Sequence, residues 1–418
     1  MQYMSHMNRR TWLQQTSAVA LSSLVAHSAN ATQTPVRKKL PVAAIVTEYT
    51  PASHADVLVG KILQGFEQQG GAGPDLYLAS LYTDQVPDRD IGRDLSQKYQ
   101  FPIASTIEEA ITLGTGQVHV AGVLSVGEHG KYPHTPKTNQ VMYPRKRFFD
   151  EIADTFIKCN KSVPVFNDKH LGYRWQDAKA MYDTSVKMKF PMMAGSSLPL
   201  TWRKPALTLP ENCEIESVLT IGRGNFEAHG FHALEAQQSL IERRKGPTGV
   251  TAVQTARGKQ IWEAERQQLW SRPMLQAALN TLPDVAKGDW EDILKDDSAF
   301  YFIEHQDGLK STVAMANRLS RFYAVAIKLR GQATPLATWF KLDLNPPFSH
   351  FAYLLKAIEH MIHTRQSAYP VERTLLTTGI LDAVMHSLAA NGKRIETPQL
   401  AIEYKNGNWP FANQQIIK

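Results

Sequence analysis

The chain has 418 residues, 43% of them apolar and 20% charged, enough to bury a large core and long enough for two domains, which excludes a disordered protein. Its 46 Lys and Arg against 39 Asp and Glu leave a formal charge of +7, and no basic run with interleaved aromatics occurs, so nucleic acid is not expected as a partner. Two cysteines, Cys159 and Cys213, are too few for a disulfide framework or a cysteine-rich zinc site and read as two unrelated core residues, with one long-range disulfide between them as the alternative in an oxidising compartment.

The chain opens with Asn8-Arg9-Arg10-Thr11-Trp12-Leu13-Gln14, continues through an apolar stretch from Ser17 to Ala26 and reaches Ala29-Asn30-Ala31. A charged start, a short apolar run and a small-residue cleavage site are the parts of an export signal. The run is too short and too interrupted by serine to span a bilayer, so no stable membrane span is expected after its removal. The paired arginines before Trp-Leu resemble the twin-arginine export signal, with Trp12 where Phe is more usual. Residues 1–31 are therefore read as a signal segment, the mature chain as starting near Thr32, and its destination as the periplasm or another extracytoplasmic space.

Beyond Leu40, strands and helices alternate. Val42 to Val46 is an apolar run of strand length, and Leu58, Ile62 and Phe66 then recur at helical spacing. Leu76 to Tyr82 predicts the next strand, Ile91, Leu95 and Tyr99 a helix, and Thr106-Ile107-Glu108-Glu109 a capping box that starts another. Val118 to Ser125 predicts a strand, followed from Val126 to Pro144 by a loop rich in Gly, His, Pro and Lys. Phe149, Ile152 and Phe156 mark a helix, Val163 to Phe166 a strand, Ala178, Met181, Tyr182 and Ser185 a helix, and Met192 to Ala194 a strand. Repeated β-α units of this length imply a Rossmann-like parallel sheet over residues 32–204, with ligands at the carboxyl ends of its strands.

After Pro205 longer strands predominate: Ile215–Ile221, Val250–Thr255, Phe300–Glu304, Thr312–Ala316, Arg321–Leu329 and Ala337–Leu344, with Gln306-Asp307-Gly308 as a hairpin turn. Two helices close the chain, one carrying Phe351, Leu354, Leu355, Ile358 and Ile362, the other running from about Glu372 to Ala390 and stopping at Asn391-Gly392. Residues 205–418 are read as an α+β domain with a mixed or antiparallel open sheet, the expected surface for any homo-oligomer.

Several passages together resemble the glucose-fructose oxidoreductase and inositol dehydrogenase (Gfo/Idh/MocA) family. Leu95–Tyr99 with Thr106–Ala110 is similar to its helix and threonine-x-glutamate-glutamate passage, and Lys161–Lys169 to its glycine-lysine-x-valine-x-x-glutamate-lysine-proline passage. Gly230-Phe231-His232-Ala233-Leu234-Glu235 resembles its histidine-bearing helix start, and Tyr369-Pro370-Val371 with Leu381–Val384 and Ser387–Lys393 its closing helix. The resemblance implies an oxidoreductase that binds NAD or NADP and acts on a sugar, polyol or derivative. It also implies a proton-transfer group at Lys169, flanked by Asp168, with His232 as its partner.

A lysine at that place can hydrogen-bond the reacting hydroxyl and help to remove its proton. The family's aspartate four residues before the histidine is Ala228 here, so His229 or Glu235 is expected to orient His232. The cofactor-binding set is Thr47, Glu48, Thr50 and His54 after the first strand, Asp84 after the second, Gly127, Glu128 and His129 after the fourth, and Lys169. No metal is expected, because the histidines and glutamate of the 126–144 loop lack helical His-x-x-x-His spacing. Arg145 and Lys146 read as solvated charges.

The sequence also departs from the family. The turn Thr47-Glu48-Tyr49-Thr50-Pro51-Ala52-Ser53-His54 has no glycine to let the backbone approach a pyrophosphate, and Glu48 puts a negative charge where phosphates would lie. Two readings follow. One is an exported oxidoreductase with tightly held NAD(P), in a version of which the cofactor is recycled within a turnover to process a glycoside. The other is a non-enzymatic carbohydrate-binding or scaffold protein that kept the fold, with Trp175, Trp202 and Trp262 as stacking platforms.

Overall fold

The computed structural model describes residues 38–415 and Ile417; the expected signal segment lies outside the described residues. The first sheet is built from β1 (Leu40–Val46), β2 (Leu76–Thr83), β3 (Ile103–Ala104), β4 (Gly122–Val126), β5 (Val165–Asp168) and β6 (Met192–Gly195). Their order is β3-β2-β1-β4-β5-β6 and every pairing is parallel, the doubly wound arrangement of dinucleotide-binding folds. The helices α1 (His54–Gln64), α2 (Gly92–Tyr99), α3 (Ile107–Thr112), α4 (Arg145–Lys158) and α5 (Trp175–Met188) connect the strands.

The second sheet holds β7 (Trp202–Lys204), β8 (Ile215–Gly222), β9 (Val250–Arg257), β10 (Ala299–His305), β11 (Lys310–Met315), β12 (Tyr323–Leu329), β13 (Leu336–Lys341) and β14 (Ile395–Glu396). It runs β14-β9-β10-β11-β8-β12-β13-β7, antiparallel except for the β11–β8 pair. The helices of this half are α6 (Ala228–Ile241), α7 (Gln260–Arg266), α8 (Arg272–Leu279), α9 (Trp290–Ile293), α10 (His350–Thr364) and α11 (Val371–Ala389). A parallel sheet followed by a mixed sheet is the fold class expected from the sequence. No helix among the described residues is long and apolar enough to cross a membrane.

The period of two along each strand decides which core a residue joins. Val42, Ala44 and Val46 of β1 face one cluster, with Leu58 of α1 and Phe351, Leu354, Leu355, Ile358 and Ile362 of α10. Ala43 and Ile45 face the other, with α3, α4 and α5, and this core continues through α6 and α11 to Val218, Tyr301 and Val313 of the second sheet. Leu219, Phe300 and Ala314 turn the opposite way, onto α7 and α8.

The structure corrects several sequence expectations. α10, read with residues 205–418, lays its apolar stripe on the parallel sheet, and Gly122 of β4 lies so near it that an added Cβ would stand 2.6 Å from Ile362. β4 begins at Gly122 rather than Val118, because Val118 and Val120 bury their side chains without pairing in the sheet. The capping box of α3 is half formed: Thr106 caps the Glu109 N–H, but the Glu109 carboxylate accepts from Ser105.

Candidate functional site

β5 ends at Asn167-Asp168, and the chain turns at Lys169 with φ of +66°. There its backbone N–H donates to the Gly195 carbonyl at 3.1 Å, which ties the ends of β5 and β6 together. Gly195 is required at that tie: its φ is +126°, and an added Cβ would stand 2.5 Å from Oε2 of Glu235. The turn sends the Lys169 side chain, 4% exposed, towards α6, where Nζ lies 2.7 Å from Nε2 of His232.

An ammonium has only donors, so Nε2 of His232 accepts and the neutral ring carries its proton on Nδ1. Burial holds this ring well below the usual histidine pKa, and the Lys169 charge beside it lowers it further. Nδ1 is 2.6 Å from Oγ of Ser196, which also accepts from the Leu198 N–H at 3.0 Å. Ser196 is thus the residue that fixes the ring, and neither residue expected in that role touches it. The His229 Nδ1 accepts from the Asn225 N–H at 3.3 Å, with its ring centroid 6.2 Å from that of His232. Glu235 acts one step back: it accepts from the Ser196 N–H at 3.4 Å and from Thr377 Oγ1 at 2.7 Å. Ser196 lies just past β6, where the sequence marks only the end of a strand.

Glu128 is the anion of the site. Oε1 is 3.5 Å from Lys169 Nζ and Oε2 2.5 Å from Arg145 Nη2. Burial alone would raise its pKa, but Lys169 and Arg145 together outweigh this and hold the carboxyl below the usual glutamate range. Arg145 is therefore no solvated charge: its side chain is 1% exposed and also donates to Nε2 of His170 at 2.9 Å. Gly127 makes the room, since an added Cβ would stand 2.6 Å from Arg145 Cγ. Lys146 does remain at the surface, paired with Asp150.

Asp168 faces away from this pair. Its Oδ2 is 2.7 Å from Nδ1 of His54, the first residue of α1, and so joins α1 to the end of β5. The His54 ring packs on Phe351 at 5.0 Å and on His129 at 5.5 Å. His129, with φ of +72° and no partner for Nδ1 among the described residues, is pulled down to about 4 by burial and by His54. Thr47 donates through Oγ1 to the Glu128 carbonyl at 2.6 Å. The carboxyl ends of β1, β4 and β5 are thereby laced together by side chains.

The turn after β1 does not fit a pyrophosphate. An N-terminal helix turn holds phosphates through free N–H groups, and here the Asp56 N–H of the first turn and those of Thr50 and Ala52 just before it are engaged locally. The Ala52 N–H donates to Asp56 Oδ2 at 2.8 Å, and the N–H groups of Thr50 and Asp56 both donate to Ser53 Oγ at 3.3 Å. The buried Glu48 carboxylate accepts from Thr50 Oγ1 at 3.2 Å, so two carboxylates occupy the approach. Asp84, expected among the cofactor-binding residues, accepts from Tyr82 at 3.0 Å, Tyr132 at 2.7 Å and Arg147 at 2.5 Å.

Trp175 and Trp262 are core residues, and Trp202 packs edge-on against Tyr353. Both cysteines are free. Among the described residues no group of three His, Cys, Asp or Glu side chains is placed to hold a metal ion.

No protein-family model and no curated protein matches this sequence. Solved structures do share the fold. A structure of GenD2 from gentamicin A biosynthesis in complex with NAD superposes with a TM-score of 0.54 at 13% identity, covering 86% of this chain and 97% of that one. A putative myo-inositol dehydrogenase from Sinorhizobium meliloti gives 0.52 at 13%, covering 85% and 99%. An oxidoreductase from Agrobacterium radiobacter in complex with NAD+, L-tartaric acid and magnesium gives 0.52 at 12%, covering 86% and 98%. These are similarities of fold: a doubly wound parallel sheet followed by a mixed sheet.

Proposed function

We propose that the protein acts on a hydroxyl-bearing carbon of a sugar, polyol or derivative, with Lys169 and His232 as the pair that moves the hydroxyl proton. The observation that carries this reading is the part-buried 2.7 Å contact between Nζ and Nε2, with Ser196 holding the far ring nitrogen. Of the three protons on Nζ, one goes to His232, one faces Glu128, and one is available to a ligand oxygen. When a substrate hydroxyl gives its proton to Nζ, the lysine's own proton passes to Nε2; the reverse transfers return a proton to a carbonyl oxygen. The low basicity of His232 rests the proton on the lysine side, ready to be donated.

An oxidoreductase of this fold would use a nicotinamide cofactor as hydride partner, and two of the similar structures are complexes with NAD. The turn after β1 as folded opposes a pyrophosphate, so the proposal stops at proton transfer. The same turn favours a second reading, a carbohydrate-binding protein that works without dinucleotide. Denaturing the purified protein and examining the supernatant by ultraviolet absorbance and mass spectrometry separates them. Release of NAD or NADP supports the oxidoreductase. Its absence from every preparation, including protein incubated with either nucleotide, moves the assignment to the binding protein.

We also propose export by the twin-arginine route, supported by Arg9-Arg10 ahead of the apolar stretch. Arg9→Lys with Arg10→Lys should retain the full-length chain in the cytoplasm, and cleavage of the parent should leave an N-terminus within a few residues of Thr32. Continued export of the double variant would rule this route out.

A further inference from the structure

Behind α6, ten residues along from His232 and so about 15 Å down the helix axis, lies a cavity of about 260 Å³. Arg203 of β7, Tyr369 ahead of α11, Arg373 of α11, and Trp409 and Phe411 of the C-terminal segment line it. It lies at the small end of ligand pockets, which run from ~300 Å³ upward, and suits a ring-sized molecule.

Its unpartnered polar atoms are donors, while the acceptors of Glu242, Asn408 and Gln414 on its wall are already engaged by the protein. Arg203 is 5% exposed and uses two of its N–H groups on the carbonyls of Leu207 at 2.9 Å and Pro199 at 3.2 Å; its Nε has no partner. The guanidinium lies over the Phe411 ring at 4.1 Å and pairs with no carboxylate among the described residues. Burial, and then repulsion from Arg373, pulls it down to about 9. The one carboxylate nearby, Glu242, is committed elsewhere, accepting from Arg373 at 2.8 and 2.5 Å and from Tyr404 at 3.0 Å. Tyr369 Oη and Trp409 Nε1 are likewise buried without a partner. An unpaired cation with a free Nε, and two further unmatched donors beside it, call for an acceptor-rich, negatively charged occupant.

We propose that this cavity is a binding site for a small molecule bearing an oxyanion, a carboxylate or a phosphate, seated on Arg203 with Tyr369 and Trp409 as further donors. The site is separate from the Lys169–His232 pair, and its test does not depend on activity. Isothermal titration calorimetry on the full chain with glucuronate, a hexose phosphate and inorganic phosphate, against glucose and sodium chloride as controls, reads it directly. Saturable binding of at least one oxyanion and of neither control is expected, and whether glucuronate or the phosphates bind tighter identifies the source. Tyr369→Phe and Trp409→Phe keep the rings and remove one donor each, so each should weaken binding about tenfold, as loss of a hydrogen bond to a charged group does. Arg203→Gln should abolish it. No saturable binding of any oxyanion, binding of glucose as tight as of glucuronate, or unchanged affinity in both ring-preserving variants would each overturn the site.

Discussion

The turn after β1 and the turn after β5 occupy equivalent places at the carboxyl edge of one parallel sheet, yet they are spent differently. After β1 the N–H groups close onto Ser53 and Asp56, and Glu48 is folded in beside them. After β5 the positive φ at Lys169 aims a cationic side chain at a neutral histidine whose far nitrogen is held. Nothing in the fold forces the two turns to share a fate, because each depends on a handful of local side chains. The comparison separates two properties that this edge can combine, holding phosphates and moving a proton, and on the proposed reading only the second has its groups in place here.

The largest effect is expected where the two turns lean on the same support. Glu128 touches Lys169 with its carboxylate and Thr47 with its carbonyl, and Arg145 is its closest cation. Arg145→Met strips a buried carboxylate of that partner and should cost about 3 kcal/mol of unfolding free energy, measured by urea denaturation at neutral pH. The pH sign is fixed by the direction of the shift. A glutamate with a depressed folded pKa gives stability that is fully present above its unfolded value of ~4.3 and lost as pH falls through the folded one, so the variant should lose part of this acid-sensitive stability. A cost below about 0.5 kcal/mol, the range of ordinary surface changes, would mean that the laced edge is not what holds the site.

Next in size is the pair itself. Lys169→Ala should lower turnover on the productive sugar or polyol by about 10²-fold or more while binding stays within reach of the parent, since an acid-base group contributes on that order. Ser196→Ala should move less, and through the pH profile, because it frees the ring without removing it; Ser196→Thr should restore the parent profile. Full activity in Lys169→Ala would erase the difference between the turns.

How far the sequence reaches follows the same division. Apolar runs of strand length locate β1 and the long strands of the second sheet because most of their residues are buried, the 3.6 spacing locates α4 and α5, and the family-like passages around Lys169 and His232 mark two residues that the structure brings to 2.7 Å. Arg145 escaped because it follows a polar loop and reads as surface; the signal was Gly127, whose missing side chain is what admits it. Ser196 escaped because a serine after a short strand carries no pattern, and its role depends on α6 approaching from far along the chain. Short strands such as β7 and β14 form only against partners already in the sheet. The glycine-free turn was visible at once, whereas its closure by Ser53 and Asp56 needed coordinates.

The smallest effect tests how dry the seam between the two turns is. His129 packs at a tilt against His54 at that seam, and burial above all holds its folded pKa at about 4, below the ordinary 6.5. Between those values the unfolded chain binds a proton that the folded chain does not, so stability falls as pH drops from 6.5 towards about 4. His229, pulled down to about 4 by burial and Lys169, adds the same trend from the α6 side. Each such histidine contributes a slope of at most about 1.4 kcal/mol per pH unit, the free energy of one proton. His129→Gln should remove about one proton's worth of slope from urea midpoints compared near pH 5 and 6, leaving the His229 part intact. An unchanged slope would place His129 in water, and with it the approach to α1, so that the turn after β1 would be open to a ligand after all.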